Sequence, residues 1–318
     1  MNRLWALPVL FCLPLVSCAS APRGELEVKV VKASGGSISG AEVWVGGIKG
    51  NQQTLRGTRK RGLTDKNGEI KLYGELRDIV YGVNVDKEGY YRSRKEVPAG
   101  NDEVGYDTRT VVTLREKKMP LSMYAKHEKV SLPSRDKRYG YDFSQGDIVD
   151  LSGKGNRPDV YLHVTRPIFK GILGPYKEIL TISFPAKTDG IKFFKPPETA
   201  KHSEFKSHYQ APETGYTSEA VVKVFYKNGH DQKNWERPAY LRIRSKIDEE
   251  GHIENAHYCK IFPGFKTTGL DREKPRVEFT YYCNPEPNKR GMEFDYERSL
   301  VPGIEDEGWP RKPDVLYD

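Results

Sequence analysis

The chain has 318 residues, enough for two domains of ordinary size. It is polar, 36% hydrophobic and 30% charged, and its net charge of +8 comes from signs that are interspersed along the chain. Such a pattern describes a mixed, solvated surface, not the concentrated basic face with stacking aromatics that nucleic-acid binding requires.

Residues 1–17 read as a signal peptide. Arg3 supplies the positive start, Leu4 to Val16 form an apolar core, and small polar residues follow. This stretch is too short to span a bilayer, and no later apolar run reaches the roughly 18 residues that a spanning helix needs. The segment ends in Leu15-Val16-Ser17-Cys18, which resembles the lipobox of bacterial lipoproteins. That resemblance implies a diacylglyceryl group on the Cys18 thiol, cleavage before it, and an anchored linker over 18–23. Two or more acyl chains hold a protein stably on a membrane, because each buried methylene contributes about 0.8 kcal/mol. Ala19 follows the cysteine where aspartate would mark inner-membrane retention, so the resemblance implies outer-membrane sorting. Plain secretion is the competing reading, since Ala19-Ser20-Ala21 is itself an A-x-A cleavage site.

Residues 24–117 read as a first domain. Leu26, Val28 and Val30 alternate with Glu25, Glu27 and Lys29, and Ala41, Val43 and Val45 alternate with Glu42 and Trp44. Ile70–Leu72, Tyr81–Val85 and Thr110–Leu114 add three more short strands, and together they imply a β-sandwich. Asp65-Lys66-Asn67-Gly68 and Asp86-Lys87-Glu88-Gly89 share aspartate first and glycine fourth, which are type I turn positions. A calcium loop at Asp65 lacks the alternating acidic ladder. Gly40-Ala41-Glu42-Val43-Trp44-Val45, then Thr64 to Glu69, then Lys87-Glu88-Gly89-Tyr90 together resemble the carboxypeptidase regulatory-like domain. The resemblance implies a transthyretin-like sandwich that serves as a non-catalytic accessory module. A related fold carries hydroxyisourate hydrolase activity, but this domain has no histidine and lacks that enzyme's terminal motif. Arg56, Arg59, Lys60 and Arg61 lie in a long insertion. They read either as an anion contact or as a solvated loop.

A charged run from Arg115 to Met119 ends at Pro120, and 119–318 reads as a second, β-rich domain, expected to be another sandwich. Strand signals fall at Asp159–Val164, Glu178–Phe184, Ala220–Tyr226, Tyr240–Ile247, Ile253–Phe262 and Val277–Cys283. Gly146–Gly155 and Lys195–Glu213 read as loops. With Cys12 and Cys18 set aside, Cys259 and Cys283 remain, and an oxidising compartment favours a disulfide between them. An antiparallel hairpin in that register sets Ile261 against Tyr281, Pro263 against Phe279 and Phe265 against Val277, with a bulge or break expected at Pro263-Gly264.

The chain carries no G-x-S-x-G, no H-E-x-x-H and no phosphate loop, so no catalytic residue, metal or cofactor is assigned. Glu293 and Asp295 sit on one face of a possible strand, with Arg290 and Arg298 as expected ion-pair partners. The leading expectation is a non-enzymatic envelope lipoprotein whose sandwiches contact envelope polymer, a glycan or another envelope protein. A second reading is glycan binding through Tyr209, Tyr216, Trp235 and Trp309. A third is a hydrolase whose cryptic site groups a carboxylate with His202, His208 or His257.

Overall fold

The computed structural model describes residues 23–47, 60–75, 80–98, 108–149, 153–169, 176–227, 230–232, 237–268 and 274–304. Its regular structure is almost entirely β, with one 3-10 turn at Glu198–Ala200. In the first part the strands are β1 (Arg23–Lys32), β2 (Glu42–Gly47), β3 (Lys60–Leu63), β4 (Glu69–Glu75), β5 (Val80–Asp86), β6 (Tyr90–Tyr91), β7 (Ser93–Pro98) and β8 (Thr108–Glu116). In the second they are β9 (Leu121–Ser131), β10 (Arg138–Asp142), β11 (Asp147–Val149), β12 (Val160–Phe169), β13 (Tyr176–Ser183), β14 (Gly190–Phe193) and β15 (Glu219–Lys227). There follow β16 (His230–Gln232), β17 (Ala239–Ile247), β18 (Ile253–Ile261), β19 (Lys266–Thr268), β20 (Arg276–Cys283) and β21 (Phe294–Ser299).

Strands β1 to β8 form two four-stranded sheets, ordered β4-β1-β8-β6 and β3-β2-β5-β7. The period-two pattern explains their burial. Leu26, Val28 and Val30 are buried in β1, as are Val43 and Val45 in β2, and Val112 and Leu114 in β8. The Asp65 turn forms as expected, with the Gly68 N–H donating to the Asp65 carbonyl at 3.0 Å. The second turn is shifted by one residue, Tyr90 donating to the Lys87 carbonyl at 3.0 Å, so that Gly89, with φ +81°, stands third in it and not fourth. Asp65 Oδ1 accepts the N–H groups of Asn67 and Glu69, each at 2.8 Å. Gly68 has φ +74°, and a Cβ there would sit 2.7 Å from the Val30 carbonyl, so glycine is required. The turn at Asp248 repeats the device, with Oδ1 accepting from Glu250 at 3.0 Å and His252 at 2.8 Å.

By contacts the chain divides into two compact units. One is Met1–Val30, Ser37–Asn84 and Lys95–Val111; the other is Val31–Gly36, Val85–Arg94 and Val112–Asp318. The second unit contains β9 to β21 as a six-stranded sheet, β11-β10-β12-β13-β15-β16, and a seven-stranded sheet, β14-β17-β18-β20-β9-β21 with β19 on β20. Leu162, Leu180 and Val222 from the first sheet share a core with Leu241, Ile261 and Phe279 from the second. Tyr141, Phe143, Phe279 and Tyr281 fill one part of it with edge-to-face and tilted rings.

Cys259 and Cys283 are bonded to each other within this core. The expected register holds for Cys259 against Cys283 and Ile261 against Tyr281. Past the Pro263-Gly264 break it moves by two residues: Thr267, not Phe265, faces Val277. Proline cannot donate to the ladder, so the strand resumes only at Lys266.

Candidate functional site

Two polar centres stand out in the second unit. The first lies on the outer face of the seven-stranded sheet, beneath the strand-free segment 194–218. Phe194 begins that segment and stacks on Tyr240 with ring centres 4.2 Å apart. The Tyr240 hydroxyl accepts the His208 N–H at 2.9 Å. Farther along, Met292 donates its N–H to the Tyr209 carbonyl at 2.9 Å and Ala211 donates to Arg290 at 2.8 Å.

Lys260 projects from β18 into the space this segment closes, and it is only 4% exposed. Its Nζ donates to the Met292 carbonyl at 3.1 Å and to Ser207 Oγ at 3.3 Å. The Tyr282 and Phe205 rings lie 4.5 and 5.1 Å from it. Burial pushes the amine down to about 7, the Arg115 charge adds to that push, and Glu293 opposes it.

Arg115, at the end of β8, is also buried. Its Nη1 donates to the carbonyls of Phe205 and Ser207, the latter at 2.7 Å. Its guanidinium packs against both the Phe205 and Tyr209 rings, at 4.5 and 4.6 Å from their centres. Glu293 closes the centre. Its carboxylate accepts the N–H of Lys118 at 2.9 Å, the N–H of Met119 at 3.0 Å and the Tyr91 hydroxyl at 3.1 Å. The expected ion pair with Arg290 is therefore corrected. Arg290 donates to the Ala211 carbonyl and approaches Glu213, while Glu293 turns inward to fix the backbone after β8.

The second centre is built on a bulge in β17 between Ile243 and Lys246. Arg244 has φ 57°, a left-handed conformation uncommon for a non-glycine residue. Its Nη2 donates to Asp159 at 2.9 Å, Asp142 at 3.1 Å and Ser144 Oγ at 3.1 Å. Asp142 in turn accepts backbone N–H groups from Ser144, Gln145, Asn156 and Arg157. These bonds to its charged form hold Asp142 below the ordinary carboxylate range against the upward push of burial, whereas burial raises Asp159 and Asp189. His257 lies within electrostatic reach of Arg244 and Asp159, and burial lowers its pKa. Its Nδ1 is 3.4 Å from the Asn284 carbonyl.

Residues singled out from sequence fare unevenly. Cys18, Arg56, Arg59, Trp235 and Trp309 lie outside the described residues. Lys60 and Arg61, expected in a loop, form β3 and pair with Val45 and Trp44, and Arg61 donates to Glu42. Tyr209 and Tyr216 belong to separate clusters. Tyr209 packs on Phe205 between Arg115 and Lys118, whereas Tyr216 lies against Tyr258 and Arg242. His208 lies beside Phe194 and Tyr240. Asp248, Glu250 and His252 bring ligand-type atoms within 4.8 Å of one another on an exposed turn, where Asp248 already caps two N–H groups. Arg115 and Lys260 were missed from sequence, because each occupies a position that alternation assigns to solvent.

No protein-family model and no curated protein matches the chain. Among solved structures it is similar to 3-chlorocatechol 1,2-dioxygenase from Rhodococcus opacus 1CP, at 14% identity over 33% of this chain and 63% of that one, with a TM-score of 0.26. Catechol 1,2-dioxygenase from Acinetobacter sp. ADP1 matches at 12% identity over 32% of this chain and 55% of that one, with the same TM-score of 0.26. The enzyme from Pseudomonas arvilla C-1 matches at 10% identity over 33% and 56%, again with a TM-score of 0.26. The chain thus spans less than two thirds of the length of these enzymes, and likeness at this level carries no argument about activity.

Proposed function

We propose that the protein is an exported, non-enzymatic envelope lipoprotein. Lipid on Cys18 anchors it at the outer membrane, and its β-sandwich modules contact envelope polymer, a glycan or another envelope protein. In this reading the first domain is a carboxypeptidase regulatory-like, transthyretin-like accessory module. The observation that carries the reading is the Cys259–Cys283 bridge. Disulfides persist in oxidising compartments and are rare where glutathione keeps thiols reduced, so the bridge agrees with the leader that ends at Cys18. The two polar centres support a scaffold role, since Glu293, Arg115, Asp142 and Asp189 all bond to backbone groups. A carboxylate whose lone pairs are already committed to N–H groups is a brace, not a free base.

The test is metabolic labelling with radioactive palmitate in a bacterial host. The wild-type chain incorporates label and partitions into detergent, and Cys18→Ala does neither. Equal labelling of the two chains overturns the anchor.

A further inference from the structure

Among the described residues, the Lys260 amine is buried in a purely neutral first layer of partners. It donates to Ser207 Oγ in the covering segment and to the Met292 carbonyl, and aromatic rings of Phe205 and Tyr282 flank it. A neutral amine has two N–H donors for these two acceptors. An ammonium has three donors and a full charge to solvate. Arg115 lies close enough for its charge to oppose a second cation. Among the described residues the carboxylate acting on Lys260 is Glu293, which already serves Lys118, Met119 and Tyr91. Protonation therefore creates an under-satisfied charge directly beneath the Phe205–Tyr209 segment.

We propose that Lys260 is a pH-operated latch, in which proton uptake by its amine loosens the covering segment Ser203–Tyr209 from the outer face of the seven-stranded sheet. Attachment of the segment depends on the groups nearest the amine: Ser207 accepts from both Lys260 and Arg115, and Phe205 stacks on Tyr91 with ring centres 4.9 Å apart. Opening gives the ammonium access to water, which the closed state denies it.

The other charged and titratable groups packed around this point do not substitute for Lys260. Arg115 and Glu293 are the charges described above. Tyr91, Tyr209, Tyr240, Tyr282 and Tyr296 are all pushed upward by burial, away from neutrality. Within the segment, burial raises Glu204 above its ordinary 4.5 and lowers His208 below its ordinary 6.5. Lys117 and Lys118, which follow β8, lie over the Tyr91 and Tyr209 rings, at 5.8 and 4.3 Å from their centres, and the charges that act on the Lys260 amine are those of Arg115 and Glu293.

The experiment is hydrogen–deuterium exchange of the full mature chain at pH 8, 7 and 6, corrected for the intrinsic rate at each pH. With a closed-state value near 7 and an ordinary open-state lysine, opening of 205–209 rises about tenfold from pH 8 to pH 6 and levels off below. Peptides from β12 and β13 show no such change. Lys260→Met removes the dependence, whereas Glu204→Gln and His208→Gln retain it. Protection of 205–209 that is equal at pH 8 and 6 overturns the latch, and so does the same tenfold change in Lys260→Met. If Lys260→Met does not fold, the wild type decides alone. Selective lysine 13C labelling then shows one resonance titrating near neutral, and a set of lysines that all titrate above pH 9 overturns the proposal.

Discussion

The carboxylate of Asp189 accepts the backbone N–H of Arg244 at 3.2 Å, at the residue where β17 turns left-handed, and that of Ser245 at 2.8 Å. One side chain thereby satisfies both amides that the bulge removes from the ladder. With its backbone held there, Arg244 extends from the seven-stranded sheet to Asp142 and Asp159 of the six-stranded sheet's strand ends. The bulge is thus a device for aiming a guanidinium between the two sheets.

This relation yields a graded prediction. Arg244→Ala leaves two buried carboxylates without their counter-charge and costs about 3–5 kcal/mol. Asp189→Asn, which keeps one acceptor, costs less, on the order of 1–2 kcal/mol. Urea denaturation of the two variants at pH 7 checks the order. Equal and negligible losses would show that the network does not hold the sheets.

Glu293 makes a second prediction. Glu293→Ala orphans two amides of the chain after β8 and the buried Tyr91 hydroxyl, at a cost of about 2–4 kcal/mol. Glu293→Gln retains an acceptor and recovers part of the loss. Proteolysis reports the same event locally: cleavage after Lys117 or Lys118 accelerates in Glu293→Ala under conditions where β12 and β13 stay intact.

Strands with one buried face were readable from sequence, because Leu26-Val28-Val30 or Leu241-Ile243 announce themselves by alternation. The Cys259 register was readable for the same reason: its same-face neighbours are all apolar. β9 was not. Leu121–Ser131 carries Lys126, Glu128 and Lys129 through its second half, which breaks the alternation begun at Leu121 and Met123, and it pairs on both sides with strands, β20 and β21, that lie far along the chain. The polar centres were hidden by the same rule that reveals strands. Lys260, between Cys259 and Ile261, alternates out of the core, and alternation alone says that it meets water. What it meets is a segment more than forty residues earlier in sequence, which no local pattern encodes. Arg115 was absorbed into a charged run for the same reason.

The disulfide gives a third prediction. It closes a loop across adjacent strands of the core with a sequence separation of 24. In the chain-entropy model its removal costs about 3 kcal/mol. Cys259→Ala with Cys283→Ala together lower the urea midpoint and raise the slope, since the unfolded chain without its cross-link is more expanded and exposes more surface. A double variant as stable as the wild type would mean that the bridge adds nothing to a core already closed by Phe279, Tyr281 and Phe265.

The fourth prediction concerns pH and the whole fold. Lys260 is held at about 7 in the folded chain, below its ordinary 10.5. Between those values the unfolded chain binds the proton and the folded chain does not, so stability rises with pH through this window. Below the folded value both states are protonated and the full penalty of the buried ammonium is present. From pH 7 to pH 9 the wild type therefore gains about 2 kcal/mol from this one group. Lys260→Met cannot titrate, so its stability profile over the same range is flatter by that amount, and at pH 7 it equals or exceeds the wild type, because a thioether of similar length fills the space without a charge to desolvate. Denaturant melts of both chains at pH 7, 8 and 9 measure the difference directly. Parallel profiles would mean that the amine reaches water or a counter-charge in solution, which would contradict the burial on which both this prediction and the latch depend.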